Sequence, residues 1–309
     1  MIDVSQLSKA LKPLDFKNSA ALSAAQLDFY RYYQIDFSGH WPGLVQSCGS
    51  ISSGDYQIAT YVYRLSSSKK NLILVHGYFD HVGLYGSLIE YGLSRGFNVV
   101  VFDLPGHGLS SGQPLAVSDF TEYVQALRDC LSVCRQAMSG EWRIIAQSTG
   151  CSAVMEYLLK QPEILFESVV LLAPLVRPKG WRWMNLAHKL SKNCFDYVPR
   201  RFAKSSHNRK FLKFLRTDPL QVQKISVQWA GALIRWVENF LTALPVNCPL
   251  LLIQGTGDTT VDWRYNIPHI MEKFPQAQVH YLQGARHHLA NESEQYQQEI
   301  FGLIDGYLG

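Results

Sequence analysis

Six short segments of the chain are apolar almost throughout, and longer segments with a mixed pattern separate them. The apolar segments are 72–75, 98–102, 142–145, 168–172, 250–253 and 278–282. Strands buried on both faces of a parallel sheet have this continuous pattern, whereas residues 56–63 alternate as a half-buried strand does. Strands separated by lengths suited to helices predict an α/β protein with a mostly parallel sheet and helices on both faces.

The connecting segments carry apolar residues near a period of 3.6, which is typical of helices that pack on one side. We predict helices at 83–94, 118–138, 151–160 and 292–308, and an edge strand at 33–37. Between Pro174 and Pro245 the alternation stops, and only helical patterns follow, at 181–195, 206–215 and 224–244. The sequence therefore predicts a core formed by 1–176 and 246–309, with a helical insertion at 177–245.

Composition supports a folded protein with a large core, since 47% of the 309 residues are hydrophobic and 17% are charged. The longest apolar run, 169–176, is far shorter than the ~18 residues that span a bilayer. The first residues lack the pattern of a signal peptide, so we expect a cytoplasmic protein. Six cysteines without a Cys-x-x-Cys spacing predict free thiols, and without clustered acids we expect no metal site.

Positive charge is concentrated in one part of the chain. Between Arg177 and Arg216 there are twelve Lys or Arg residues and one acid, Asp196, although the net charge of the whole chain is only +4. Aromatic residues are interspersed there, as in helices that lie peripherally on an anionic membrane surface. The alternative is a solvated basic face with its aromatic rings packed inward. We expect no nucleic-acid partner, because no recognised binding motif accompanies the charge.

Candidate chemistry begins at the sequence Ala-Gln-Ser-Thr-Gly of residues 146–150, between a predicted strand and a predicted helix. A sharp strand-to-helix turn exposes a serine as a nucleophile, here Ser148, and small flanking residues avoid collisions. The amide of Thr149 would then face a developing oxyanion, together with the amide of Tyr78, which follows another strand. The alternative is an ordinary serine near a helix N-terminus.

Two further strand ends supply the partners that a serine nucleophile needs. Asp258 follows the strand at 250–253, and His287 follows the strand at 278–282. An imidazole takes the serine proton, and a carboxylate orients the imidazole. Asp262 and His288 compete for these roles; we favour Asp258 because an Asp at position 262 suits a helix cap, and His287 because of its spacing from the preceding glycine. The order Ser, Asp, His is the one found in α/β hydrolases.

These motifs, with the glycine-rich loop 103–112 and the His-Gly turn at 76–77, resemble serine hydrolases of the monoacylglycerol lipase and lysophospholipase group. Ala146 and Gln147 depart from that group, which usually has glycine and histidine there. The resemblance implies a cap over the active site at 177–245, no cofactor, and a small lipid-like ester as substrate. Serine aminopeptidases share the scaffold, so an amide substrate is one alternative, and a non-catalytic ligand-binding relative is another.

Overall fold

The computed structural model describes residues 4–16, 22–161, 165–200 and 202–308. In these ranges ten strands run in chain order: β1 Val45–Ser53, β2 Tyr56–Arg64, β3 Lys70–Val75, β4 Asn98–Phe102, β5 Glu141–Gln147, β6 Ser168–Leu172, β7 Tyr197–Pro199, β8 Lys224–Ser226, β9 Leu251–Gly255 and β10 Gln278–Leu282. The α-helices are α1 Val4–Ala10, α2 Ala24–Tyr32, α3 Gly86–Ser94, α4 Thr121–Ala137, α5 Thr149–Lys160, α6 Trp181–Ser191, α7 Arg209–Leu215, α8 Val227–Thr242, α9 Trp263–Lys273 and α10 Glu294–Leu308. Short 3-10 turns lie at Val82–Leu84 and Leu289–Asn291.

Eight strands form one sheet in the order β1-β2-β4-β3-β5-β6-β9-β10. β1 and β2 pair antiparallel, and β2 also runs antiparallel to β4, whereas the pairs from β4 through β10 are parallel. Because parallel strands direct their carboxyl ends to one edge, the loops after β3, β5, β9 and β10 meet there. The predicted α/β class is confirmed.

Each face of the sheet is covered by its own hydrophobic core. Side chains alternate between the faces along a strand: Ile73 packs with α4, α5, α8 and α9, while its neighbours Leu72 and Leu74 pack with α2, α3 and α10. All three side chains are fully buried. The continuously apolar strands are thus explained by helices on both sides, as the pattern predicts.

The segment 177–245 lies between β6 and β9 and contains α6, β7, α7, β8 and α8. Two of its elements correct the sequence-based prediction, which found no strand there: β7 and β8 pair antiparallel over three residues each. Runs this short leave no clear pattern in a sequence. The helix α6 has no buried residue, whereas α8 contributes many buried side chains to the main core. Arg201, one of the twelve basic residues, lies outside the described residues.

The interpretation of the two sheet edges differs from the structure in three respects. No strand forms at 33–37: Gln34 turns the chain with a positive φ of 56°, and the Ile35 amide donates to the Tyr30 carbonyl. The true edge strand is β1, which is rich in serine and was missed because it lacks apolar alternation. The strand β10 forms as predicted, yet only Leu282 in it is buried, because β10 is the other edge of the sheet.

Candidate active site

Ser148 lies at the turn between β5 and α5. Its backbone has φ 54° and ψ −115°, a strained conformation for a residue other than glycine. The turn is tight because α5 starts directly against the end of β3: a Cβ atom on Gly150 would lie 2.5 Å from the Val75 carbonyl oxygen. A side chain at that position would therefore force α5 and the end of β3 apart. The geometry of a strand, a sharp turn and a helix is the one that exposes a serine hydroxyl.

Ser148, His287 and Asp258 come together in one chain of hydrogen bonds. The distance from Ser148 Oγ to His287 Nε2 is 3.0 Å, and the distance from His287 Nδ1 to Asp258 Oδ2 is 2.8 Å. All three side chains are largely buried. With Nδ1 donating to the carboxylate, Nε2 is left to accept the serine proton. Such an arrangement can activate a hydroxyl for attack on a carbonyl group.

The carboxylate of Asp258 is held by further donors. Its Oδ1 accepts hydrogen bonds from the amides of Thr260 at 2.7 Å and Val261 at 3.1 Å, and Gln254 Nε2 donates to Oδ2 at 3.2 Å. Burial alone would raise the pKa of Asp258, but the nearby His287 and these donors hold it below its ordinary value. Burial likewise favours a lower pKa for His287, yet the charge of Asp258 raises it. Asp258 is thus fixed as an anion that stabilises a charged imidazole.

Asp262 and His288, which competed for the roles of acid and base, take no part in this chain of hydrogen bonds. Asp262 is at the start of α9 but makes no capping hydrogen bond with its side chain; it pairs instead with Arg177 at 2.8 Å. The reason given from the sequence, a helix cap, is therefore wrong. His288 turns away from Ser148 and places Nε2 3.0 Å from Asp80 Oδ1.

The amides proposed for the oxyanion both border the cavity at Ser148, since Tyr78 and Thr149 belong to its lining. Neither amide donates a hydrogen bond to another group in the described part of the chain. The first amides of a helix have no partner within the helix, which applies to Thr149 at the start of α5. Two free amides near a candidate nucleophile are the arrangement that an oxyanion hole needs.

The cavity has a volume of about 340 Å³, and most of its lining comes from the segment 177–245. Apolar lining side chains come from the loop after β6 and from α6, α7, β8 and α8: Leu175, Met184, Leu212, Leu215, Ile225 and Trp229. The indole of Trp229 stacks on the Tyr78 ring, with 3.8 Å between ring centroids. This volume and lining suit a ligand with an apolar chain.

The buried histidines around the loops bind backbone groups. His76 accepts from the Leu104 amide through Nε2, so its Nδ1 carries the proton and donates to the Gly77 carbonyl at 2.8 Å. Burial lowers the pKa of His76 to about 3 and that of His107 to about 4, so both rings are neutral.

Among the described residues, no group of three or more His, Cys, Asp or Glu is placed to hold a metal ion. No helix in that same part of the chain is long and apolar enough to cross a membrane.

Three features of the site were not found from the sequence. Gln147 links the turn to the loop after His287, because its Oε1 accepts from the Ala290 amide at 2.8 Å. The pair of Asp80 and His288 supports the loop that carries Tyr78. The third is Arg200, which lies in the lining of the cavity. Only the folded chain brings these groups together, and no local motif marks them.

Comparison with known proteins gives matches over most of the chain. A family model described as serine aminopeptidase, S33 (Hydrolase_4) matches residues 66–294. A monoglyceride lipase homolog of monkeypox virus is 24% identical over 276 residues, which are 85% of this chain and 97% of that protein. Phospholipase YtpA of Bacillus subtilis is 25% identical over 202 residues, 62% of this chain and 76% of that protein.

A crystal structure with the same fold is that of a soluble variant of monoglyceride lipase from Saccharomyces cerevisiae in complex with a substrate analog. It has a TM-score of 0.74 and 15% sequence identity, and the alignment covers 85% of this chain and 96% of that chain. The likeness therefore extends over most of both chains.

Proposed function

Because this chain belongs to the serine aminopeptidase S33 family, has the α/β-hydrolase fold and is a serine hydrolase, we propose that it hydrolyses lipid-like monoesters through Ser148, His287 and Asp258. The observation that carries this proposal is the chain of hydrogen bonds among these three side chains at the wall of an apolar cavity. The relatives named as a monoglyceride lipase homolog and a phospholipase support a lipid ester as the substrate.

In the proposed reaction, Ser148 Oγ attacks the ester carbonyl while His287 Nε2 takes its proton. The carbonyl oxygen becomes an oxyanion and accepts hydrogen bonds from the amides of Tyr78 and Thr149. When the tetrahedral intermediate collapses, His287 gives the proton to the departing alcohol, and an acyl-serine remains. Water, deprotonated by the same imidazole, then releases the fatty acid and restores Ser148. Asp258 keeps Nδ1 protonated throughout and stabilises the charged imidazole.

The cavity accounts for a substrate with one acyl chain. Its volume of about 340 Å³ is at the lower end for ligand sites, which suits a single chain with a small alcohol group. The segment 177–245 supplies most of the lining, so we propose that it acts as the cap that selects the substrate.

Replacing Ser148 with alanine tests the proposal. We expect kcat for a short soluble ester to fall by a factor on the order of 10⁶, as after loss of a nucleophile that acts with a general base. Covalent labelling by a fluorophosphonate should disappear as well. Ser52→Ala is the matched control, because this exposed serine on β1 lies outside the cavity lining. Near-normal turnover by Ser148→Ala would refute the assignment.

The family description makes an amide the second candidate substrate. Ser148, assisted by His287 and Asp258, could also be acylated by an aminoacyl anilide, with the amine as the leaving group. Comparing kcat/KM for a p-nitrophenyl ester and for an aminoacyl anilide separates the two. A preference for the anilide would replace the lipase proposal with a peptidase proposal.

The basic segment also supports a second proposal, which is peripheral docking on an anionic membrane through α6. Trp183, Leu186 and Leu190 lie on one side of this helix and are 76%, 46% and 72% exposed. Exposed lysines at 189 and 192 stand beside them. Apolar side chains on an amphipathic helix enter the lipid boundary, and lysines near the surface add about 1 kcal/mol each.

A pair of charge variants tests this docking. Lys189→Gln with Lys192→Gln should weaken binding to anionic vesicles about tenfold or more, because two cations near the surface are lost. Arg128→Gln with Arg135→Gln removes the same charge from exposed positions of α4 and should leave binding unchanged. Added salt should weaken binding of the unmodified protein. Equal vesicle binding by both double variants at low salt would leave the solvated basic face as the explanation.

A further inference from the structure

The cavity at Ser148 has an unbalanced charge. Its lining includes three cations, Arg200, Lys204 and Arg216, and a single carboxylate, Asp80, among the residues that the structure describes. None of these cations has a carboxylate oxygen within 4.0 Å in the described ranges. A cavity with low-dielectric walls and charges of one sign attracts ligands of the opposite sign.

Asp80 acts on Arg200 through its charge but forms no ion pair within 4.0 Å with any of the three cations, and its own oxygens are engaged by other donors. His288 Nε2 lies 3.0 Å from Oδ1, and Tyr85 donates its hydroxyl to Oδ2 at 3.1 Å. The Gly77 amide also donates to Oδ2, at 3.3 Å. Asp80 therefore serves the loop around Tyr78, and its carboxylate is directed into that loop.

Arg200 is held in a fixed position and is partly desolvated. Its guanidinium lies 3.6 Å from the Phe79 ring centroid and 4.5 Å from that of Phe202. Nη1 donates to Gln221 Oε1 at 2.8 Å and to the Val222 carbonyl at 3.3 Å. Burial lowers the pKa of Arg200 to about 10, so the group remains charged at neutral pH.

The other nitrogens of that guanidinium, Nε and Nη2, make no hydrogen bond to the described residues. A partly desolvated cation without an ion-pair partner has lost some of its hydration, and an anionic ligand would offset this cost. The fork of Arg binds phosphate and carboxylate oxygens in pairs, and lysine adds a mobile point charge. Three cations facing one cavity favour a phosphate, which carries up to two negative charges, over a neutral glycerol.

Arg200 also lies in the part of the cavity wall that is next to the proposed oxyanion donor. Phe79, on which Arg200 stacks, directly follows Tyr78, whose amide is the proposed oxyanion donor. Gln221 ties the same loop to Arg200, because its Nε2 donates to the Phe79 carbonyl at 2.8 Å. An anion bound at Arg200 would thus be held by the loop that faces the reacting ester.

We propose that Arg200, Lys204 and Arg216 form an anion-binding subsite that takes the phosphate of an acylated glycerol phosphate. The inference rests on the proposed ester hydrolysis and specifies its alcohol group. It also gives three of the twelve basic residues between Arg177 and Arg216 a role inside the cavity.

The experiment compares two soluble substrates with the same acyl chain, hexanoylglycerol and hexanoylglycerol phosphate, below their aggregation limits so that no membrane is involved. The measured quantity is the ratio of kcat/KM for the phosphate ester to kcat/KM for the neutral ester. In Arg200→Gln this ratio should fall about tenfold or more, since charge-assisted hydrogen bonds are lost. Arg200→Lys should restore part of it.

Exposed Lys204 and Arg216 provide variants that do not disturb the packing at Phe79. Each glutamine variant should lower the ratio about threefold or more, because each removes one charge from the cavity. Lys213→Gln is the matched control, since this exposed lysine of α7 is absent from the lining and should leave the ratio unchanged. Equal ratios in the unmodified protein and in all three cavity variants would overturn the subsite.

Binding of glycerol phosphate, measured by calorimetry, separates this inference from the proposed function. If glycerol phosphate binds to the unmodified protein and does not bind to Arg200→Gln, the subsite is supported even when neither ester is hydrolysed. In that case only the proposed ester hydrolysis fails. Hydrolysis of both esters with no effect of the cavity variants refutes only the subsite. Inorganic phosphate is tested in parallel: binding as tight as that of glycerol phosphate would identify a site for free phosphate and overturn the substrate assignment.

Discussion

Replacing Gly150 with alanine is expected to damage the turn at Ser148, although it adds only one methyl group. A Cβ atom on Gly150 would lie 2.5 Å from the Val75 carbonyl oxygen and 2.6 Å from that of His76. Ordinary contacts of this kind begin at 3.4 Å. The start of α5 and the end of β3 must therefore move apart by close to an ångström, and both belong to the backbone and not to flexible side chains.

We expect Gly150→Ala to have a small effect on stability and a large effect on activity. Alanine raises helix propensity by about 1 kcal/mol relative to glycine, while overpacking costs about 1–3 kcal/mol. The free energy of unfolding should thus fall by between zero and about 2 kcal/mol. Displacing a reacting group by about 1 Å can cost on the order of 100-fold in rate. We expect kcat/KM of Gly150→Ala to fall by about that factor, while the protein still folds.

Gly302→Ala is the control, because Gly302 is also inside a helix, α10, and nothing lies within 4 Å of its Cβ position. It should raise the free energy of unfolding by about 0.5–1 kcal/mol and leave kcat/KM unchanged. Urea denaturation followed by circular dichroism measures stability, and a short soluble ester measures kcat/KM. If the two glycine variants shift the urea midpoint equally, or if Gly150→Ala keeps full activity, the argument from close approach is wrong.

The other predictions concern Asp258 and the alternative carboxylate, Asp262. The acidic limb of the kcat/KM profile should have its midpoint above the ordinary imidazole value of about 6.5, because Asp258 raises the pKa of His287 and the base must be neutral. Asp258→Asn should shift this midpoint to lower pH and reduce kcat about 10⁴-fold; an unchanged profile would contradict the pairing. Asp262→Asn should stay within a few fold in kcat/KM and change the free energy of unfolding by at most about 1 kcal/mol, because its ion pair with Arg177 is partly exposed. A loss in kcat/KM as large as that of Asp258→Asn would contradict this assignment.

The central sheet could be predicted because burial on both faces requires continuously apolar strands. The segment around Val99 and Val100 is an example, in which successive side chains enter opposite cores. Where a strand is buried on one face only, or not at all, its sequence lacks this continuous apolar run and does not reveal the strand. The strand β1 has small polar residues at an edge. In the predicted strand 33–37, Tyr33, Ile35 and Phe37 are buried at alternate positions, yet they have no strand partner.

The candidate nucleophile, acid and base could be located because each follows a predicted strand and the three follow a known order. Their partners could not. Gln254, which donates to Asp258, lies in β9 four residues before it, and the sequence does not show that its side chain turns towards that carboxylate. Arg200 is one of twelve basic residues in its segment, and only tertiary packing on Phe79 distinguishes it from those on the surface. Long-range placement of this kind leaves no periodic signal.

The helix α8 limits how the segment 177–245 can be exchanged between relatives. Phe240 is fully buried in the main core, and Trp236 stacks on Phe120 and donates to Glu156. A chimaera that swaps the whole segment would have to repack one side of the sheet, because foreign side chains would leave voids or overlaps there. A swap that ends before α8 leaves this core intact. Exchange between β6 and α8 is constrained at fewer points, where Phe211 and Leu215 enter the opposite core and Asp218 bonds to Tyr33 and His81. A change in α8 requires a matching change in the helices that cover the sheet.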